Sequence, residues 1–159
     1  MIKKKVILLI IAVILAAAIV FCLIYTRPRT LDSILNGREI TSISAIAIEG
    51  NVANGQSYQD TWKLEEEMVD EQVMADLLEL MDSCKYRTSL RTLLHPGSIE
   101  IPGKHTAHLA IVLDDGSSLS IQYLSSKVVF DSDSYAITTV TDKNISETLS
   151  SYIRQIGAK

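Results

Sequence analysis

Little in this chain advertises chemistry. It holds two cysteines, three histidines, three prolines and one tryptophan among 159 residues. Cys22 lies within an apolar run, so it is no partner for Cys84, and an internal disulfide framework is excluded. A zinc site wants three or four convergent ligands. His105 and His108 enter a strand, where odd spacing sends them to opposite faces, and with His95 they read as solvated histidines. The many serines include no G-x-S-x-G elbow and no S-x-x-K set, and there is no Gly-rich phosphate loop. Asp131 to Ser134 starts like a calcium loop, but Ala136 and Asp142 stand where Gly and Glu are needed, so it reads as a turn. A Cys84–His95 dyad would need an accessible thiol in a positive setting. Cys84 instead follows an amphipathic helix and reads as a buried thiol. The residues therefore nominate no catalytic site, no cofactor and no metal.

Charge is absent over one stretch. Val6 to Tyr25 is an unbroken apolar run without a charged residue. At 1.5 Å per residue a helix of this length covers about 30 Å, the hydrocarbon thickness of a bilayer. A helix apolar on every side needs lipid or a large core, and a chain this short has little core to offer it. Lys3, Lys4 and Lys5 precede the run; Arg27 and Arg29 follow it. With so short a basic tail ahead of the run, the expectation is an N-terminus inside and the bulk of the chain outside. A cleaved signal peptide is the main competitor, with Ala16 to Ala18 as its small-residue site. Cutting there would leave Ile19 to Tyr25 as an apolar tail, which argues for a retained anchor. A lipoprotein signal on Cys22 needs a small residue before it, and Phe21 stands there.

Basic residues are scarce in the remainder. From Thr30 onward there are ten basic and nineteen acidic residues, a net charge of −9. Such a domain repels nucleic acid and anionic lipid headgroups, and no nucleic-acid partner is expected. The length suits one domain. The expected organisation is a cytoplasmic tail at 1–5, a transmembrane anchor at 6–25, a juxtamembrane linker at 26–39, and an extracytoplasmic domain at 40–159.

What is there is alternation. Pro28 stops the anchor helix, and Leu31, Ile34 and Leu35 make one amphipathic turn ended by Asn36-Gly37. Ile40 to Glu49 and Ser57 to Glu65 alternate as strands around Asn54-Gly55, with Tyr58, Trp62 and Leu64 expected on one face. Asp70 reads as the N-cap of a helix over Glu71 to Ser83, whose apolar stripe includes Val73, Leu77, Leu80 and Cys84. Further strands follow at Tyr86–Leu90, Ala107–Leu113, Ser118–Leu124, Lys127–Phe130 and Tyr135–Val140, with a loop from Thr92 to His105 carrying two Pro-Gly pairs. Asn144 and Glu147 have capping-box spacing ahead of a helix bearing Ile145, Leu149, Tyr152, Ile153 and Ile156, with Gly157 after it. This order predicts an α+β domain, a largely antiparallel sheet with two helices packed on one face, preceded by one transmembrane helix.

Two charged groups stand out. Glu65, Glu66, Glu67, Asp70 and Glu71 form an acidic run, explained in part by the preference of helix N-termini for negative charge. Lys85, Arg87 and Arg91 form a local basic stripe, with His95 and Lys104 beyond. These five are the candidate interaction surface, either paired internally with the acidic helix face or open to an anionic partner.

The basic start, single anchor, Ile-rich strand Ile43 to Ile48, and helix followed by Lys85-Tyr86-Arg87 resemble the small signal-anchored extracytoplasmic domains of unknown function common in Gram-positive bacteria. The resemblance implies a surface location and supplies no activity. The function expected is that of a membrane-anchored interaction domain, touching lipid through its helix and an envelope protein or peptide through its domain. The alternatives are a cell-envelope hydrolase or thiol enzyme, and an accessory subunit of a membrane complex.

Overall fold

A computed structural model describes residues 2–53, 56–88, 104–125, 127–132 and 135–159. The Asn54-Gly55 turn, Arg91, His95, both Pro-Gly pairs and Asp133 lie outside the described residues.

Helix α1 runs Ile2–Tyr25 and is long and apolar enough to cross a membrane. Its window of highest hydropathy makes no burial against the rest of the chain. Helix α2 (Leu31–Leu35) is one turn long. The Thr30 hydroxyl accepts from Ser33 N–H at its start, and Asn36 and Gly37 both take positive φ at its end. A β-carbon disfavours that conformation, which is why an Asn-Gly pair stands here. The stretch expected as a linker is thus folded into the domain, with Leu31 2% and Leu35 4% exposed.

Seven strands follow: β1 (Ile40–Ala53), β2 (Gln56–Leu64), β3 (Tyr86–Arg87), β4 (His105–Leu113), β5 (Ser118–Leu124), β6 (Lys127–Ser132) and β7 (Tyr135–Thr141). They form one sheet in the order β2-β1-β4-β5-β6-β7-β3, and every pairing is antiparallel. Helix α3 (Glu71–Asp82) follows β2 after a 3-10 turn at Glu66–Met68, and α4 (Ile145–Ile156) follows β7. The fold is α+β, as the order of elements predicts.

Period-2 patterning sets the register. Ala107, Leu109, Ile111 and Leu113 of β4 are buried, as are Ile43, Ala45 and Ala47 of β1 and Leu119, Ile121 and Tyr123 of β5. They share one core with Leu77 and Met81 of α3 and Ile145, Leu149 and Ile153 of α4. Helix α4 lies against β1, β4 and β2 and touches α3, where the Tyr152 hydroxyl donates to Asp76 at 2.7 Å. Burial pushes Tyr152 up to about 12, and its bond holds Asp76 below the usual carboxylate range.

Four expectations need correction. Tyr58 shares a side with Leu64 but is 48% exposed. The ladder between β1 and β4 ends at Glu49–His105, so the hairpin runs on beyond it as a two-stranded ribbon that carries Tyr58. Strand β3 stops at Arg87 instead of continuing through Thr88. His105 opens β4 rather than closing a loop. Asn144 occupies the N-cap position of α4 without making the cap. Its side-chain oxygen accepts from the Ser146 hydroxyl at 3.0 Å, so the capping box does not form.

Both sheet edges are met by the chain's own ends. At the β3 edge Arg29 and Tyr86 exchange N–H···O bonds of 2.8 and 2.9 Å; at the β2 edge Lys63 and Ala158 do the same, at 2.8 and 2.9 Å. Gly157 makes the second closure fit. A β-carbon there would sit 2.6 Å from the Ile153 carbonyl oxygen and 2.8 Å from that of Lys63, both backbone atoms. Gly157→Ala should cost about 1–3 kcal/mol, the scale of an overpacked site, and should speed amide exchange at Lys63 and Ala158. A wild-type melting curve for this variant would refute the closure. Tyr86 is the second test. Its hydroxyl donates to the Met81 carbonyl at 2.7 Å and lies 2.8 Å from the Tyr123 hydroxyl, and all of it is buried. Tyr86→Phe strands the buried Tyr123 hydroxyl and leaves the Met81 carbonyl with the weak Cys84 thiol donor, and should cost about 1–3 kcal/mol in chemical denaturation.

Candidate functional site

The sheet residues alternating with the core set build a second surface. Cross-strand register places Ser44, Ala110 and Ser120 in one row, since Ser44 pairs Ala110 and Ala110 pairs Ser120. The adjacent row is Lys63, Ile46, His108 and Gln122. Small side chains in one row beside larger ones in the next leave a trough. It encloses about 280 Å³ and is lined by Ser44, Ile46, Lys63, Glu65, His108 and Ser120, among others. Ile46 and, on the same side of β4, Val112 are large apolar side chains exposed to solvent, at 37% and 39%.

His108 forms one wall. It is half-buried, and desolvation holds its pKa below the ordinary histidine value. A neutral imidazole both donates and accepts. Two hydroxyls, an ammonium and a carboxylate complete the lining, a set suited to hydrogen-bonding a polar ligand. It is not assembled for acyl transfer: no hydrogen bond among the described residues joins His108 to Ser44 or Ser120. The expectation of solvated histidines fails at His108 because β4 is an interior strand with neighbours on both sides. The trough's signal in the sequence is the alternation of Ser42, Ser44, Ser118 and Ser120 with core residues, which marks strands but not which strands are adjacent.

Of the candidate interaction residues that are described, Lys104 stands apart from Lys85 and Arg87. Lys85 and Arg87 are exposed at the β3 edge. Lys104 lies four strand steps away beside β4, about 19 Å at 4.8 Å per strand, and its ammonium meets Glu49 at 3.7 Å. The acidic helix face does not take up Lys85 or Arg87 in any ion pair among the described residues. Arg91 and His95 are outside those residues.

Beyond β1 the far corner is internally satisfied. Glu49 accepts from Arg154 at 2.9 Å, and Asp60 meets Lys159 at 2.7 Å, which lowers the Asp60 pKa. Arg154 and Lys159 both lie over the Trp62 ring, 5.8 and 5.4 Å from its centre. Asp70 of the acidic run caps α3 through Val73 N–H at 2.8 Å, and Glu65, Glu66 and Glu67 are exposed. Among the described residues no three His, Cys, Asp or Glu side chains gather as a metal site would require.

Cys84 is 1% exposed, its sulfur 3.6 Å from the Met81 carbonyl oxygen, and burial pushes its pKa up. Both features are opposite to those of a nucleophilic thiol. Comparison with protein-family models, curated proteins and solved structures returned no match.

The lowered pKa of His108 carries a sign. Folding favours its neutral form, so its contribution to stability is full above the unfolded value of about 6.5 and declines as pH falls toward the folded pKa. Proton NMR should place His108 below 6.5, and His108→Gln should flatten the stability profile between that value and the folded pKa. A His108 titration at or above the ordinary value would contradict the geometry.

Proposed function

We propose that this chain is a membrane-tethered binding domain, held by α1 and presenting the trough of its sheet to an envelope protein or peptide. The observation that carries the reading is the coexistence of an unburied helix long and apolar enough to cross a membrane with a domain that displays a polar trough. In this reading α3 and α4 cover one face of the sheet, which leaves the trough face open. The lysines at 3–5 favour an N-terminus in the cytoplasm, and a long domain translocates largely regardless of its charge. Tethering keeps the domain at high local concentration near other membrane-bound molecules, so modest affinity suffices. The buried, high-pKa Cys84 supports this reading over the thiol enzyme.

Two measurements test it. The full chain should stay in the membrane pellet after alkaline carbonate washing, and external protease should degrade the domain in intact spheroplasts. Photo-crosslinking residues at Ile46 and Val112 should capture one partner in living cells, while the same residue at Glu79, exposed on α3, should not. Release by carbonate would remove the anchor; equal capture at all three positions would remove the trough.

A further inference from the structure

The chain meets its sheet almost at once after α1. The helix ends at Tyr25, with Thr26 still bonded to the Cys22 carbonyl through its N–H at 2.9 Å and its hydroxyl at 2.7 Å. Arg29 is already paired to Tyr86 by two backbone bonds. Four Cα steps of at most ~3.6 Å allow about 14 Å between Tyr25 and Arg29. A headgroup layer is itself roughly 5–8 Å thick, given a hydrocarbon core of about 30 Å within a bilayer of 40–45 Å. If α1 spans a membrane, the β3 edge is therefore confined to the headgroup region or just above it.

That edge is cationic. Arg27, Arg29, Lys85 and Arg87 are all exposed, and among the described residues none has a carboxylate within ion-pair distance. Elsewhere Arg38, Lys104, Arg154 and Lys159 each meet one. Unpaired cations at one edge are notable in a domain with almost twice as many acids as bases. The nearby acids pair with none of them among the described residues: Asp142 accepts from the Lys85 backbone N–H at 2.9 Å, and Asp32 and Asp82 are exposed. Neighbouring Lys143 adds positive charge, its ammonium donating to the Ser83 carbonyl at 2.6 Å.

We infer that the β3 edge is a phospholipid-binding surface, in which Arg27, Arg29, Lys85 and Arg87 engage the phosphates of anionic lipid headgroups. Guanidinium groups match phosphate oxygens in pairs, and cations next to a membrane segment are drawn to anionic lipid. The inference rests on the anchor reading of α1 and adds an orientation to it. The acidic remainder is repelled from the same surface, so the sheet stands on its β3 edge. The β2 edge is then six strand steps away, about 29 Å, and the trough is held clear of the bilayer.

The test uses the full chain in detergent micelles doped with equal phosphatidylglycerol and phosphatidylcholine, with retained lipid counted by native mass spectrometry. Wild type should retain phosphatidylglycerol about tenfold over phosphatidylcholine, the scale of one or two surface cations on anionic lipid. The double variant Lys85→Gln/Arg87→Gln, which leaves Arg27 and Arg29 in place, should fall to about threefold. A control at the far corner, Lys104→Gln/Lys159→Gln, should keep the wild-type preference. Inorganic phosphate added to the micelles should not displace the lipid; displacement would mean a free-anion site and overturn the lipid assignment. An unchanged preference in the Lys85/Arg87 variant would overturn the surface. Circular dichroism confirms that each variant is folded. A chain that carbonate releases from membranes fails the anchor reading, whereas one that stays in membranes without lipid preference fails this inference alone.

Discussion

The structure turns on where Tyr86 is held. Its backbone is paired on one side with Arg29 and on the other with Thr141 of β7. Its hydroxyl reaches the Met81 carbonyl in the last turn of α3, and its ring meets Phe130 of β6 edge-on, with centres 5.5 Å apart. A carbonyl can only accept, so the Tyr86 proton is committed to Met81 and Tyr123 must donate to the Tyr86 oxygen. One side chain thus ties the segment after α1, the end of α3 and strands β5 to β7 into one unit. Burial raises both phenols well above the ordinary range, which keeps them neutral hydrogen-bonding groups at any physiological pH.

The same logic governs the sheet's edges. An open edge strand offers unpaired backbone groups to any other chain. Here a single residue pair occupies part of each edge: Arg29 at β3 and Ala158 at β2. The first closure fixes the domain close to α1. The second brings Lys159 to Asp60 and, with Arg154, to the face of Trp62. Arg29 and Ala158 therefore sit at opposite edges of the sheet, and the trough lies nearer the Ala158 edge.

Charge is sorted along that axis. Among the described residues, cations with no carboxylate in ion-pair range occupy the β3 edge, while those at the far corner are matched by Glu49 and Asp60. Exposed ion pairs contribute little to stability, so the far corner owes its order mainly to the backbone closure and the Trp62 contacts.

The sequence by itself determined the elements. The uncharged stretch from Val6 to Tyr25, the alternation of β1, β4 and β5, Asp70 as a working cap, and the stripe on α3 are all local patterns, and each is present in the fold. Where a local pattern had two solutions, the tertiary structure chose. Asn144 turned to Ser146, and the hairpin overran its neighbour and left Tyr58 in solvent. Strand order belongs to the tertiary structure alone, because hydrophobic periodicity says which side of a strand is buried and not which strand lies beside it. Only that order aligns Ser44, Ala110 and Ser120 into a trough, parts Lys104 from Arg87, and brings Lys85 and Arg87 next to Arg29.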